Sequence, residues 1–178
     1  ALSRLQQRPG VDGTRLQTET VALYGSKVDV EAGTVSLIVI ERGASTRLFS
    51  TLRAGDPIVL MGPTGVKTAI PETPETFLIV GDALAAAQVR CVGPALRAAG
   101  HRVLLALEFD TAADLFCQDE LEAASDGVLW VTKQGSAIDA RRATDRSAQG
   151  EMVESLAAYA SGALAGGSGP IRLEDVSK

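Results

Sequence analysis

Two short runs of uninterrupted apolar residues, Phe77–Val80 and Val103–Leu107, frame an alanine-rich stretch with the length and composition of a helix. Continuous runs of this kind suit strands buried on both faces of a parallel sheet, whereas a strand with one wet face alternates. The pattern therefore predicts a strand, a helix and a second strand over Thr76–Glu108, a βαβ unit with the usual right-handed crossover. Asp82 stands where an N-cap is needed, Gly100 where the helix should stop, and Arg97 where a cation suits the helix dipole. Gly93-Pro94 interrupts the helical pattern, because proline lacks an N–H and crowds the preceding turn, and predicts a kink or a split helix.

Downstream, Phe109–Ala113 reads as a loop, Leu115–Ala124 as a helix ended at Asp126-Gly127, and Val128–Thr132 as a third parallel strand carrying the single tryptophan. Gln134–Gln149 is polar and unpatterned, so an exposed loop is expected. Met152–Leu164 reads as a helix with Met152, Leu156 and Tyr159 on one face, followed by a flexible break at Gly166–Pro170. Ile171–Lys178 is too short to assign. Upstream, Val21–Tyr24, Thr34–Glu41 and Ile58–Met61 read as strands, with a turn at Glu31-Ala32-Gly33 and a short helix at Arg47–Leu52. This part is antiparallel in character, and Val66–Pro74, with Pro71 and Pro74, links it to the βαβ part. Ala1–Glu19, broken by Pro9-Gly10 and Asp12-Gly13, reads as a loosely held leader. The alanine at position 1 reads as the start of a processed or excised piece.

With 178 residues, 46% of them apolar, the chain can bury the core of one domain or two small ones. A net charge of −5 argues against a nucleic-acid surface, because Arg141, Arg142 and Arg146, the nearest basic cluster, have acids beside them. No apolar run approaches the roughly 20 residues that span a bilayer, and the first residues lack a signal-peptide core, so a cytoplasmic protein with no membrane span is expected. Cys91 and Cys117 are far apart and His101 is the single histidine, which leaves no spacing for a metal site within this chain. The cysteines read as reduced packing residues and His101 as a solvated loop residue.

Gly33-Thr34-Val35, then Gly43-x-Ser45-Thr46-Arg47-Leu48, then Leu52-x-x-Gly55-Asp56-x-Ile58-x-Leu60-x-Gly62-Pro63-x-Gly65, then a strand ending in Val80-Gly81, form an ordered series. The series resembles the ferredoxin-NADP reductase superfamily. Within it, the resemblance is to electron-transfer subunits, such as those of dihydroorotate dehydrogenase, the sulfhydrogenase gamma subunit and the small subunit of NADH-dependent ferredoxin-NADP oxidoreductase. It implies an α/β fold class: an incomplete antiparallel β-barrel of the flavin type over residues 21–70, after a leader of residues 1–20. A three-layer α/β domain of the NAD(P)-binding type, with a parallel sheet, follows over residues 71–178. It implies FAD and NAD(P)H as cofactors, electrons passing from NAD(P)H to flavin to an iron-sulfur or other redox partner subunit, and no metal within this chain. By resemblance, Ser45, Thr46 and Arg47 fall at the flavin diphosphate, and Gly81, Asp82, Ala83 and Thr132 at the nicotinamide nucleotide. No catalytic side chain is implied.

The chain departs from that pattern in four places. The flavin-holding arginine of the family has no counterpart in Val21-Ala22-Leu23-Tyr24. The glycine-rich turn that lets a pyrophosphate approach backbone is replaced by Gly81-Asp82-Ala83-Leu84-Ala85, whose carboxylate would cap the helix and repel a diphosphate. Phe109-Asp110-Thr111 replaces Gly-Ala-Arg, and the closing strand of the family would begin just after Val176. Two readings stay open: an electron-transfer oxidoreductase domain or subunit with degenerate cofactor motifs, whose isolated chain is inactive, and a non-catalytic relative serving as an interaction or assembly domain in a complex.

Overall fold

The computed structural model describes Val21, Leu23 and residues 25–177. The expected leader, Ala1–Glu19, and Ala22 and Tyr24 of the first expected strand lie outside the described residues. Two compact units are present: one takes in Leu37–Lys67, the other Gly25–Ser36 and the chain from Thr68 onward.

A hairpin opens the described chain, with strands β1 (Gly25–Asp29) and β2 (Thr34–Leu37) forming a two-stranded sheet. The four-residue link forces the pair antiparallel, and it closes through Gly33 at φ +62°, where a side chain would be strained. The strand expected over Thr34–Glu41 thus ends early. The hairpin's anchor is Ser26, fully buried, whose Oγ donates to the Ala87 carbonyl at 2.8 Å and accepts from Arg90 Nη1 at 2.9 Å.

Among its described residues the first unit holds a short helix, α1 (Ala44–Phe49), and a turn in which Arg53 and Asp56 exchange hydrogen bonds. Ile58–Met61, expected as a strand, is not one: its side chains face solvent, Val59 at 91% exposure. A lone strand has no stability without pairing, and among the described residues this segment has no paired neighbour. Among the described residues, the β1–β2 pair is the strand pairing found within residues 21–70, where a barrel is expected.

The second unit is built on four parallel strands in sequence order, β3 (Thr76–Gly81), β4 (Arg102–Phe109), β5 (Gly127–Thr132) and β6 (Arg146–Gln149). Phe77 pairs with Val103, Leu105 with Val128, and Leu129 with Arg146. Helices α2 (Ala83–Ala98) and α3 (Gln118–Ala123) cover one face; α4 (Met152–Ser161) and the residues after it cover the other. Alternate residues of each strand feed the two cores: Leu105, Leu107 and Trp130 meet Val89, Leu96 and Leu121, while Leu104, Ala106, Leu129 and Val131 meet Tyr159 and Ile171. The result is the three-layer α/β sandwich expected downstream of Pro74.

Helix α2 begins and ends as its sequence predicts. Asp82 caps it, and it closes at Gly100 (φ +87°), where Gly100 N donates to the Arg97 carbonyl and His101 N to the Leu96 carbonyl. It runs unbroken through Gly93-Pro94, so the expected split does not occur. Gly93 is there for another reason: a Cβ would sit 2.6 Å from the Ala124 carbonyl, so its absence lets the end of α3 approach.

Four other expectations change. The stretch expected as an exposed loop over Gln134–Gln149 ends in β6, because Arg146 and Asp145 find buried partners that a window on the sequence does not contain. The helix expected over Leu115–Ala124 is a 3₁₀ turn at Ala112–Asp114 followed by the shorter α3, and α4 stops at Ser161. His101 is not solvated: it is 4% exposed, packs edge-on to Phe77, accepts from Glu75 N at Nδ1 (2.9 Å) and faces the Pro71 carbonyl with Nε2 (3.0 Å).

Candidate functional site

Parallel α/β sheets bind ligands outside the carboxyl ends of their strands, where helix N-termini and loops converge. Here that edge is formed by the ends of β3, β4, β5 and β6, and it holds Gly81, Asp82, Ala83 and Thr132. Gly81 lets β3 turn tightly into α2: a Cβ at this position would collide with that of Ala85. Asp82 is extended, and its Oδ1 accepts from Leu84 N at 2.9 Å, placing a carboxylate over the helix N-terminus. Ala83 is half-buried and packs toward the core. Thr132 is buried; its hydroxyl accepts from Ile138 N at 3.3 Å and its carbonyl from Gly150 N.

Two further carboxylates at this edge follow the same plan. Glu108 Oε2 accepts from Met152 N at 3.2 Å, so a carboxylate also covers the N-terminus of α4, and Glu108 Oε1 holds Lys133 Nζ at 2.8 Å. Asp114 Oδ2 accepts from Thr111 N and Oγ1, closing the 3₁₀ turn. The Lys133 ammonium is held above the usual lysine range by its hydrogen bond to Glu108 and by that carboxylate's charge, with Asp110 and Glu151 adding to it. Sequence reading missed Glu108 and Lys133; the available signal was a carboxylate directly ending a buried strand, Leu107-Glu108, and a cation directly after another, Thr132-Lys133.

Ser45, Thr46 and Arg47 sit on α1 in the first unit. Thr46 Oγ1 accepts from Gly43 N and Arg42 N, both at 3.0 Å, and donates to the Gly43 carbonyl at 3.2 Å. Arg47 Nε lies 3.6 Å from Glu41 Oε1, and Ser45 is half-buried. The hydroxyl and guanidinium named for a diphosphate are thus engaged within the chain.

Elsewhere, Arg141 pairs with Asp119 and Glu122, and Arg142 with Asp145. Cys91 and Cys117 are both exposed thiols rather than core residues. Burial and a hydrogen bond to Glu120 push the Cys117 thiol up, against the pull of Arg90. Among the described residues no group of His, Cys, Asp and Glu is placed to hold a metal ion, and no helix is long and apolar enough to cross a membrane.

A parallel sheet covered on both faces, with its candidate site at the carboxyl edge, defines the second unit as a three-layer α/β domain. Comparison with known proteins adds the relationship. Over 97 residues, 53% of this chain, it is 33% identical to the electron transfer subunit of dihydroorotate dehydrogenase B (NAD(+)) from two strains of Listeria monocytogenes. Over 61 residues, 34% of the chain, it is 44% identical to an uncharacterized protein of Rickettsia prowazekii. The chain spans 38% of the length of the Listeria subunits and 9% of the Rickettsia protein. The solved structure of an NADH-dependent reduced ferredoxin-NADP oxidoreductase superposes with a TM-score of 0.58 at 24% identity, over 66% of this chain and 42% of that one, a likeness of fold. No family profile matches the chain. In sequence and fold together, the chain resembles the electron-transfer subunits of the ferredoxin-NADP reductase superfamily.

Proposed function

We propose that the chain is a domain or subunit of an electron-transfer oxidoreductase of the ferredoxin-NADP reductase type, beside a redox partner subunit, in which the pyridine-nucleotide turn is closed by its own side chain. The observation that carries this reading is the 2.9 Å bond from Leu84 N to Asp82 Oδ1. A nucleotide diphosphate at a helix N-terminus needs free N–H donors, close backbone approach and a positive field. At α2 the donor is taken, and Asp82, Glu108, Asp110 and Asp114 line the edge, with Lys133 held by Glu108. The residues present therefore do not fit a diphosphate there. The α/β unit then serves the complex as an assembly domain, and hydride and electron transfer through flavin and iron-sulfur centres belong to other parts of it.

A second reading, a working NAD(P)H domain, is favoured by Gly81, which brings the α2 N-terminus against the end of β3 in the manner nucleotide-binding crossovers use. Calorimetric titration with NADH and NADPH separates the two. The closed-turn reading expects no binding by the unaltered chain and gain of binding in Asp82→Gly/Ala83→Gly, with Asp82→Asn intermediate because it keeps the cap and removes the charge. A dissociation constant of about 1 mM or tighter for the unaltered chain, corresponding to about −4 kcal/mol, overturns it in favour of the second. Reconstitution with FAD, read as a visible flavin spectrum, tests the first unit in the same way.

A further inference from the structure

Arg146, the first residue of β6, is 7% exposed, and each of its five N–H groups meets a main-chain carbonyl. Nε donates to Gly167 at 2.9 Å, Nη1 to Ala143 and Asp145 at 2.8 and 2.6 Å, and Nη2 to Gly166 and Ser168, both at 2.8 Å. No carboxylate is among these partners; the dipoles of five carbonyls take the place of a counter-ion. Gly166 and Gly167, at φ +89° and +69°, adopt the left-handed conformations that turn successive carbonyls inward.

The segment so gripped goes on to touch the first residue of every other strand. Pro170 fills the space beside Gly127 of β5, where a Cβ would meet Pro170 Cγ at 3.2 Å. The Pro170 carbonyl accepts from Arg102 Nη2 of β4 at 2.5 Å, and the Ile171 carbonyl from the Tyr159 hydroxyl at 2.8 Å. The Ile171 side chain is fully buried under the sheet. Finally Ser177 N donates to the carbonyl of Thr76 of β3 at 2.9 Å. Residues 162–177 are a belt across the amino ends of all four strands, on the opposite edge from the candidate site.

We propose that Arg146 is the latch of this belt, and that the belt opens as one cooperative segment from Gly162 to Ser177 while the sheet behind it stays formed. The side chain grips the belt at one end, and beyond that point single side-chain bonds from Arg102 and Tyr159, the main-chain bond at Ser177 and the buried Ile171 hold it. Without the guanidinium, five converging carbonyls lose their donors together, and the least costly relief is for the glycine-rich turn to swing into water. Pro170, Ile171 and the bond at Ser177 are strung on the same short chain and leave with it.

Hydrogen exchange on the full chain tests this, with two variants that break the latch from opposite sides. Arg146→Lys keeps the charge but brings three donors to five carbonyls. Gly166→Ala keeps the arginine but sets a Cβ 3.3 Å from its Cζ at a left-handed position. In both, exchange at the amides of Gly162, Ala163, Gly167 and Ser177 is expected to accelerate about tenfold or more, the scale of losing hydrogen bonds to a charged group, with Leu105 and Trp130 unchanged. Acceleration at Ser177, remote from the latch, is the mark of a single unit. Acceleration confined to residues 166–168, uniform acceleration that includes β4 and β5, or no change overturns the proposal. Should Arg146→Lys fail to fold, Gly166→Ala decides it alone.

Discussion

The two edges of the four-stranded sheet are held by opposite means. At the amino edge one cation sits in a cage of carbonyls, and the belt is seated by fit: Gly169 lies where any Cβ would collide with the Tyr159 hydroxyl, and Gly127 faces Pro170. At the carboxyl edge the chain's own carboxylates cover the starts of α2, α4 and the 3₁₀ turn, and the groups stay nearer solvent. Steric closure tolerates little substitution, whereas a capping carboxylate is worth about 1 kcal/mol and can be exchanged without disturbing the sheet. The amino edge is therefore where substitution is least tolerated, and the carboxyl edge is where binding can change while the fold remains.

That contrast can be broken in measurable steps. The largest effect is expected from Gly169→Ala, which forces Tyr159 or the belt aside; denaturant unfolding should show a loss of about 3 kcal/mol, and a loss below about 1 kcal/mol would mean that the belt yields easily. Asp82→Ala removes the α2 cap and should cost about 1 kcal/mol in the same assay. A cost as large as that of Gly169→Ala would erase the distinction between the edges.

The smallest effect is alkaline. Burial holds the Tyr159 hydroxyl above its ordinary range near 10, against the opposing pull of the Arg146 and Arg102 charges. Lys133 is likewise raised above its ordinary value of 10.5. A group raised in the folded state contributes stability that is present below its unfolded value and lost as pH rises through the folded one, so both edges weaken above about pH 10. Tyr159→Phe should flatten the amino-edge share of that slope and Lys133→Met the carboxyl-edge share. If neither variant changes stability measured from pH 9 to 11, these groups are not coupled to folding.

Much of the second unit was legible in the chain. The run Phe77–Val80, the cap at Asp82, the stop at Gly100 and the run Val103–Leu107 are where the sequence places them, because buried strands and helix ends depend on neighbours a few residues away. Asp82 at the helix start could be read for the same reason. The strand at Ile58–Met61 could not be trusted to its pattern, since a strand exists only when paired and its partner must come from elsewhere.

Local sequence by itself determined the β3–α2–β4 crossover, its cap and the acidic character of the turn that a nucleotide would have to approach. Tertiary structure alone decided the rest: that the polar stretch before Gly150 would end in a fourth strand, that His101 would be buried between Phe77 and two main-chain partners, that Glu108 would cap a helix 44 residues away, and that Arg146 would latch a belt. The physical reason is that an apolar side chain carries its preference for burial with it. A polar one is buried only if distant parts of the chain supply its hydrogen-bond partners, and no window on the sequence contains them.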